Sequence, residues 1–166
     1  MVRDGRTPAA VQAVANARLN SPTPGIAPGG NSLIGAIPGL AIIYTGTPTG
    51  PVDLTVELHR TAPAVRLDDW DDIVEIAQQT PCGSAAIIEP ATTAAAPGYP
   101  FLRLAPGAWF RLRVSVRGRD RGRQIYGVAT ESVEDHLLQT WPGPPSPTEI
   151  RHKLTDQLGA ALRGDS

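Results

Sequence analysis

WFRLRVSVR, residues 109–117, alternates with a period of two: Phe110, Leu112, Val114 and Val116 fall on one face, and Trp109, Arg111, Arg113, Ser115 and Arg117 on the other. Successive side chains of a strand point to opposite sides of its sheet, so this stretch is a strand with one face for a core and one cationic face. The turn signal APG at 105–107 introduces it.

Working outward, VDLTVELH at 52–59 has the same period, with Val52, Leu54, Val56 and Leu58 alternating with Asp53, Thr55, Glu57 and His59. LAIIYT at 40–45 precedes it across the turn-rich GTPTGP, which predicts a hairpin of these two runs. DDWDDIVEIAQQ at 68–79 reads as a strand, because Ile73, Val74 and Ile76 are β-branched and Pro81 stops the run. SAAIIE at 84–89, QIYGVA at 124–129 and HLLQTW at 136–141 are shorter strand candidates. Some seven short strands with Gly/Pro turns and no helices between them predict a mainly β domain over 38–142, an antiparallel β-sandwich or open barrel.

The flanks read differently. Residues 1–37 form a flexible N-terminal arm and a Pro/Gly-rich linker, the arm carrying a short helix from Thr7 and Pro8 with Val11, Val14, Ala15 and Leu19 on one stripe. The glycines of GIAPGGNSLIG, residues 25–35, lack the Gly-Lys-Ser/Thr ending and the preceding strand of a phosphate loop. Residues 143–166 are a Pro-rich hinge and a C-terminal helix over about 147–163. Ser146, Pro147 and Glu149 make its capping box, and Ile150, Leu154, Leu158 and Ala161 its apolar stripe.

At 166 residues and 41% hydrophobic composition the chain can build a core, and a net charge of -1 gives no global pull toward nucleic acid or anionic membrane. Neither a secretory leader nor a membrane span is visible, so a soluble, cytoplasmic protein without membrane association is expected. The single Cys82 has no partner for a disulfide or a metal. Fourteen of the fifteen basic residues are Arg, and Pro and Gly occur 17 times each, a bias typical of GC-rich bacterial coding.

Four stretches carry a resemblance: YTGTPTGPVDLTVEL (44–58), WDDIVEI (70–76), FRLRVSVRGRD (110–120) and EDHLLQTWP (134–142). Together they resemble a family of small bacterial β-domain proteins, common in actinobacterial genomes, to which no activity is assigned. The Pro-Gly turn feeding a late strand is similar, more distantly, to competence-associated nuclease inhibitors. The resemblance implies a β domain and brings no catalytic residues.

Two charged stretches bear on function. Arg103, Arg111, Arg113, Arg117, Arg119, Arg121 and Arg123 crowd 21 positions with only Asp120 against them. A row of planar cations beside Trp109 suits carboxylate or phosphate recognition, so Trp109, Arg111, Arg113, Arg117 and Arg119 are the candidate partner-binding residues. A protein partner is expected and an anionic ligand is compatible, whereas few Lys and the negative total charge speak against nucleic acid. The competing reading is internal: Asp68, Asp69, Asp71, Asp72 and Glu75 can lie on a neighbouring strand and neutralise the row. The acidic run has no Gly placed to wrap a calcium ion.

His59, His136 and His152 show no metal spacing, and no cofactor is expected. Trp70, Trp109 and Trp141 sit at strand ends as core caps. The leading expectation is a non-enzymatic interaction protein, such as an immunity or inhibitor protein. The alternatives are an enzyme built around His136 with Glu134 or Asp135, and a structural subunit whose arm and C-terminal helix dock on neighbours in an oligomer.

Overall fold

A computed structural model describes residues 2–3, 30–37, 39–81, 83–87, 98 and 102–165. The expected arm helix and Cys82 lie outside these. The chain is mainly β: β1 (Val2–Arg3), β2 (Ile34–Ile37), β3 (Leu40–Ile43), β4 (Asp53–Leu58), β5 (Asp72–Thr80), β6 (Ser84–Ala85), β7 (Leu102–Arg103), β8 (Ala108–Arg117), β9 (Asp135–Pro142) and β10 (Ile150–Leu154). Among the described residues there are also two short α-helices, α1 (Arg119–Arg123) and α2 (Gln157–Arg163). Among the described residues no helix is long and apolar enough to cross a membrane.

The main sheet has six strands in the order β1-β4-β9-β8-β5-β10, with β8 inside it between β9 and β5. Its pairings are antiparallel except β4 with β9, which run parallel from Asp53↔Asp135 to Leu58↔Thr140. The apolar face of β8 faces the core as the alternation requires: Phe110, Leu112, Val114 and Val116 pack with Leu54, Val56, Val74, Ile76 and Leu138. Burying each such side chain contributes about 1.5–3 kcal/mol. The second layer over this face comes from two small sheets, β2–β3 and β6–β7, through Leu33, Ile34, Ile43 and Leu102. The sheets do not close into a barrel.

Four local expectations are corrected. The predicted hairpin of 40–45 with 52–59 does not form. Instead β3 pairs with β2, taken from the stretch read as linker, while Gly46 and Thr47 turn toward residue 134, their amides donating to the Glu134 carboxylate. QIYGVA is a loop without a strand, and RDRGR, residues 119–123, folds into α1.

The helix expected over 147–163 is a strand followed by a shorter helix. Residues 150–154 pair with the free edge of β5, and Asp156 caps α2 by accepting from the Gly159 amide at 2.6 Å. Ser146 accepts from the Thr148 amide, and Glu149 turns away to Asn31 and Arg151 rather than closing a capping box.

Candidate binding site

The second face of the main sheet is polar at its centre. Arg113 on β8 stands in register with Glu75 on β5 and, on the other side, with Gln139 on β9. Arg113 donates to Glu75 Oε2 from Nε at 3.1 Å and Nη2 at 3.0 Å, and Arg111 donates to Oε1 from Nε at 2.9 Å. His152 Nε2 lies 3.2 Å from Oε2. Arg113 also donates from Nη1 to the Pro63 carbonyl at 2.8 Å, and its guanidinium lies 4.9 Å from the centre of the Trp141 ring. Gln139 in turn donates to Glu57 at 2.8 Å, whose carboxylate is 2.9 Å from His59 Nε2.

A continuous polar row therefore crosses from β4 to β10, and its central members, Arg111, Arg113, Glu75 and Gln139, are buried. Burial pushes the Glu75 carboxyl up, but the hydrogen bonds from His152, Arg111 and Arg113 outweigh it and hold the group below the ordinary glutamate value.

The five candidate residues thus occupy four environments. Arg111 and Arg113 are inside the row. Arg117 is at the exposed end of β8: 48% of its side chain is accessible, Nε donates to Asp135 at 2.7 Å, and the guanidinium lies 5.4 Å from the Trp70 ring centre. Trp109 is half-buried at the other end of the strand, across from Gln79. Arg119 does not share this face at all.

It is the first residue of α1, and its side chain is 0% exposed. Nε donates to Asp156 at 2.5 Å, Nη2 to Asp72 at 2.9 Å and Nη1 to the Ser32 carbonyl at 2.9 Å, so it ties α1 to β5, to the cap of α2 and to the 31–34 turn. Burial, joined by the Asp156 charge, leaves the Asp72 carboxyl above its ordinary value despite the pull of Arg119 and two backbone amides.

No protein-family model matches the chain, and no curated protein matches it. A solved structure described as "Crocagin biosynthetic gene J" is 16% identical over 63% of this chain and 67% of that one, with a TM-score of 0.38, a likeness too slight to carry an argument.

A second buried polar cluster surrounds His136. Its Nε2 is 3.1 Å from Glu134 Oε2, which also accepts from the Gly46 amide at 3.0 Å, while Oε1 accepts from the Thr47 amide and, at 2.5 Å, from its hydroxyl. Burial raises the Glu134 carboxyl, and His136, Thr47 and Gly46 together bring it below the ordinary value. Both side chains are sealed from solvent. Asp135, the other carboxylate considered for His136, points to the opposite face and pairs with Arg117.

Each histidine thus has its own glutamate: His59 with Glu57, His136 with Glu134, His152 with Glu75. Among the described residues no group of three or more His, Cys, Asp or Glu side chains is placed to hold a metal. The first two pairs were legible as Glu-x-His, since i and i+2 of a strand share a face. The third joins elements 77 residues apart and left no local signal.

Proposed function

We propose that this chain is a non-enzymatic binding protein of the cytoplasm, taking a protein partner on the cationic side of its sheet in the manner of an inhibitor or immunity protein. The observation that supports it is the contrast between Arg111 and Arg113, held rigid by Glu75, and Arg117, which leaves the same strand half-exposed and backed by Trp70. A fixed Arg beside aromatic rings loses little freedom on binding, and Arg and Trp dominate contact energetics. The sealed Glu134–His136 pair favours the same reading, since a substrate has no route to it without opening the core.

The test is comparative recovery of a partner from the native host with the tagged full chain and with an Arg117→Ala/Trp109→Ala variant of unchanged stability. A single protein retained by the wild type and depleted with the variant is the expected result. Equal recovery by both, or binding that turns over a small molecule, would sink the proposal.

A further inference from the structure

Beyond β8 the chain leaves the sheet through Gly118 and α1 and returns to β9 by residues 124–134. Both ends of this excursion are pinned. Gly118 adopts φ 87, which only glycine takes without strain, and its amide donates to Asp71 at 2.9 Å. A Cβ on Gly122 would lie 2.0 Å from Glu134 Oε1 and 2.6 Å from Thr47 Oγ1, so α1 sits directly against the buried Glu134 cluster. At the far end the Ala129 amide donates to the Thr49 carbonyl at 2.8 Å.

What stands out between these anchors is apolar and cationic. Tyr126 is 100% exposed and Val128 70%. Residues 121–130, RGRQIYGVAT, contain two arginines and no acid. Arg121 and Arg123 are exposed and form no ion pair among the described residues. The neighbouring acid, Asp120, is already engaged, accepting from the amides of Gln157 at 3.0 Å and Leu158 at 2.8 Å at the start of α2.

We infer that this loop is a docking surface for an acidic protein segment carrying an apolar side chain, its carboxylates meeting Arg121 and Arg123 and its apolar group packing on Tyr126 and Val128. The inference rests on the binding-protein reading and adds to the sheet face of Arg117 and Trp109 a second contact region with its own partner chemistry. Tyr contributes a large contact area with few rotatable bonds, and Arg pairs carboxylates through two parallel hydrogen bonds. Pinning at both ends lowers the ordering cost of binding. The cations set the charge of the partner, and the exposed ring and isopropyl group separate a protein segment from a polyphosphate, which would leave them in water.

The probe is a random 12-residue peptide library panned against the full chain, followed by affinity measurement of enriched peptides on the wild type and three variants: Tyr126→Ala, Arg121→Glu/Arg123→Glu, and Arg117→Ala/Trp109→Ala. Enriched peptides should combine Asp or Glu with an aromatic or aliphatic residue. They should lose at least roughly tenfold in affinity on each of the first two variants, and bind more weakly at high salt. Tyr126 and both arginines are exposed, so the folded state tolerates these changes. Peptides without acidic residues, or unaffected by the loop variants, would overturn the inference. Loss confined to the Arg117/Trp109 variant would also overturn it while leaving the wider binding reading standing. Binding of single-stranded DNA or phosphatidylserine vesicles that falls with the arginine variant but not with Tyr126→Ala would replace the protein segment by a generic polyanion.

Discussion

Glu75 and Arg113 face each other in register across β5 and β8, and one carboxylate oxygen of Glu75 accepts from both Nε and Nη2 of Arg113. The other oxygen accepts from Arg111. One acid thus neutralises two buried guanidinium groups, with the Pro63 carbonyl and the Trp141 ring supplying the remaining contacts of Arg113. The sheet's polar face is in this sense an internal brace, and Arg117 is where its arginines emerge into solvent.

Replacing Glu75 by Gln leaves those two cations without a counter-charge in a site closed to water. Breaking a buried pair from one side costs about 3–5 kcal/mol, whereas an exposed cross-strand pair contributes only about 0.2–1 kcal/mol. Urea unfolding should therefore show Glu75→Gln destabilised at the upper scale, and Asp135→Asn, which frees the exposed Arg117, at the lower. Equal small losses for both would mean that the row is solvated. The combined change Glu75→Leu, Arg111→Met and Arg113→Met should recover much of the loss, because it removes charge and counter-charge together.

The pH dependence follows from the carboxylates. Glu75 and Glu134 are both held below their ordinary value of 4.5, so the unfolded chain binds protons before the folded one does. Their stabilisation is complete above that value and is lost as pH falls through the lower folded values. Asp72 runs the other way, since burial holds it above its ordinary 3.8, and its contribution is present at low pH and lost as pH rises through the raised value. The unfolding midpoint should drop below about pH 4.5 as Glu75 and Glu134 protonate, with Glu134→Gln showing lower stability at neutral pH and a shallower acid drop. A wild-type profile that keeps its full acid drop in that variant would remove Glu134 as a source.

The strands were legible wherever period two met an uninterrupted run. Residues 109–117 and 52–59 show their inward faces directly, 68–79 reads as a strand whose inward face the sequence leaves open between Val74/Ile76 and Ile73, and the cationic face of β8 with its acidic counterpart on the next strand was readable as a pairing. Pairing order was not, because register between distant strands is settled by long-range burial. The spacing of Ile150, Leu154, Leu158 and Ala161 suits a helix in isolation. The β5 edge, and an Asp72 carboxylate that accepts from the Thr155 and Asp156 amides at 2.6 and 3.0 Å, end the strand and start the helix where Asp156 caps it. Arg119 belonged to the basic stretch by sequence alone. The left-handed Gly118 turns the chain out of the strand before it, which is why its side chain enters the core.

Gly122 offers the sharpest test of how the exposed loop is held. In an ordinary exposed helix, Gly→Ala stabilises by up to about 1 kcal/mol, because alanine loses less backbone freedom on folding. Here the added methyl group would meet Glu134 Oε1 at 2.0 Å, Thr47 Oγ1 at 2.6 Å and the Thr47 amide nitrogen at 2.7 Å. Two of these atoms belong to short side chains locked in one hydrogen-bond cluster and the third to backbone, so none can yield cheaply. Gly122→Ala should therefore destabilise, by about 1–3 kcal/mol on the scale of overpacked cores, reversing the usual sign. Gly127 is the control: its φ of 85 disfavours alanine, but no atom lies within 4 Å of a Cβ there, so Gly127→Ala carries only the backbone cost of about 1–2 kcal/mol. Amide exchange separates the two, since clash at Gly122 should also loosen the Gly46 and Thr47 amides that bind Glu134, while strain at Gly127 should leave them protected. Protection at Gly46 and Thr47 that survives Gly122→Ala would show that α1 is not seated on the cluster and that the loop is free to move as a whole.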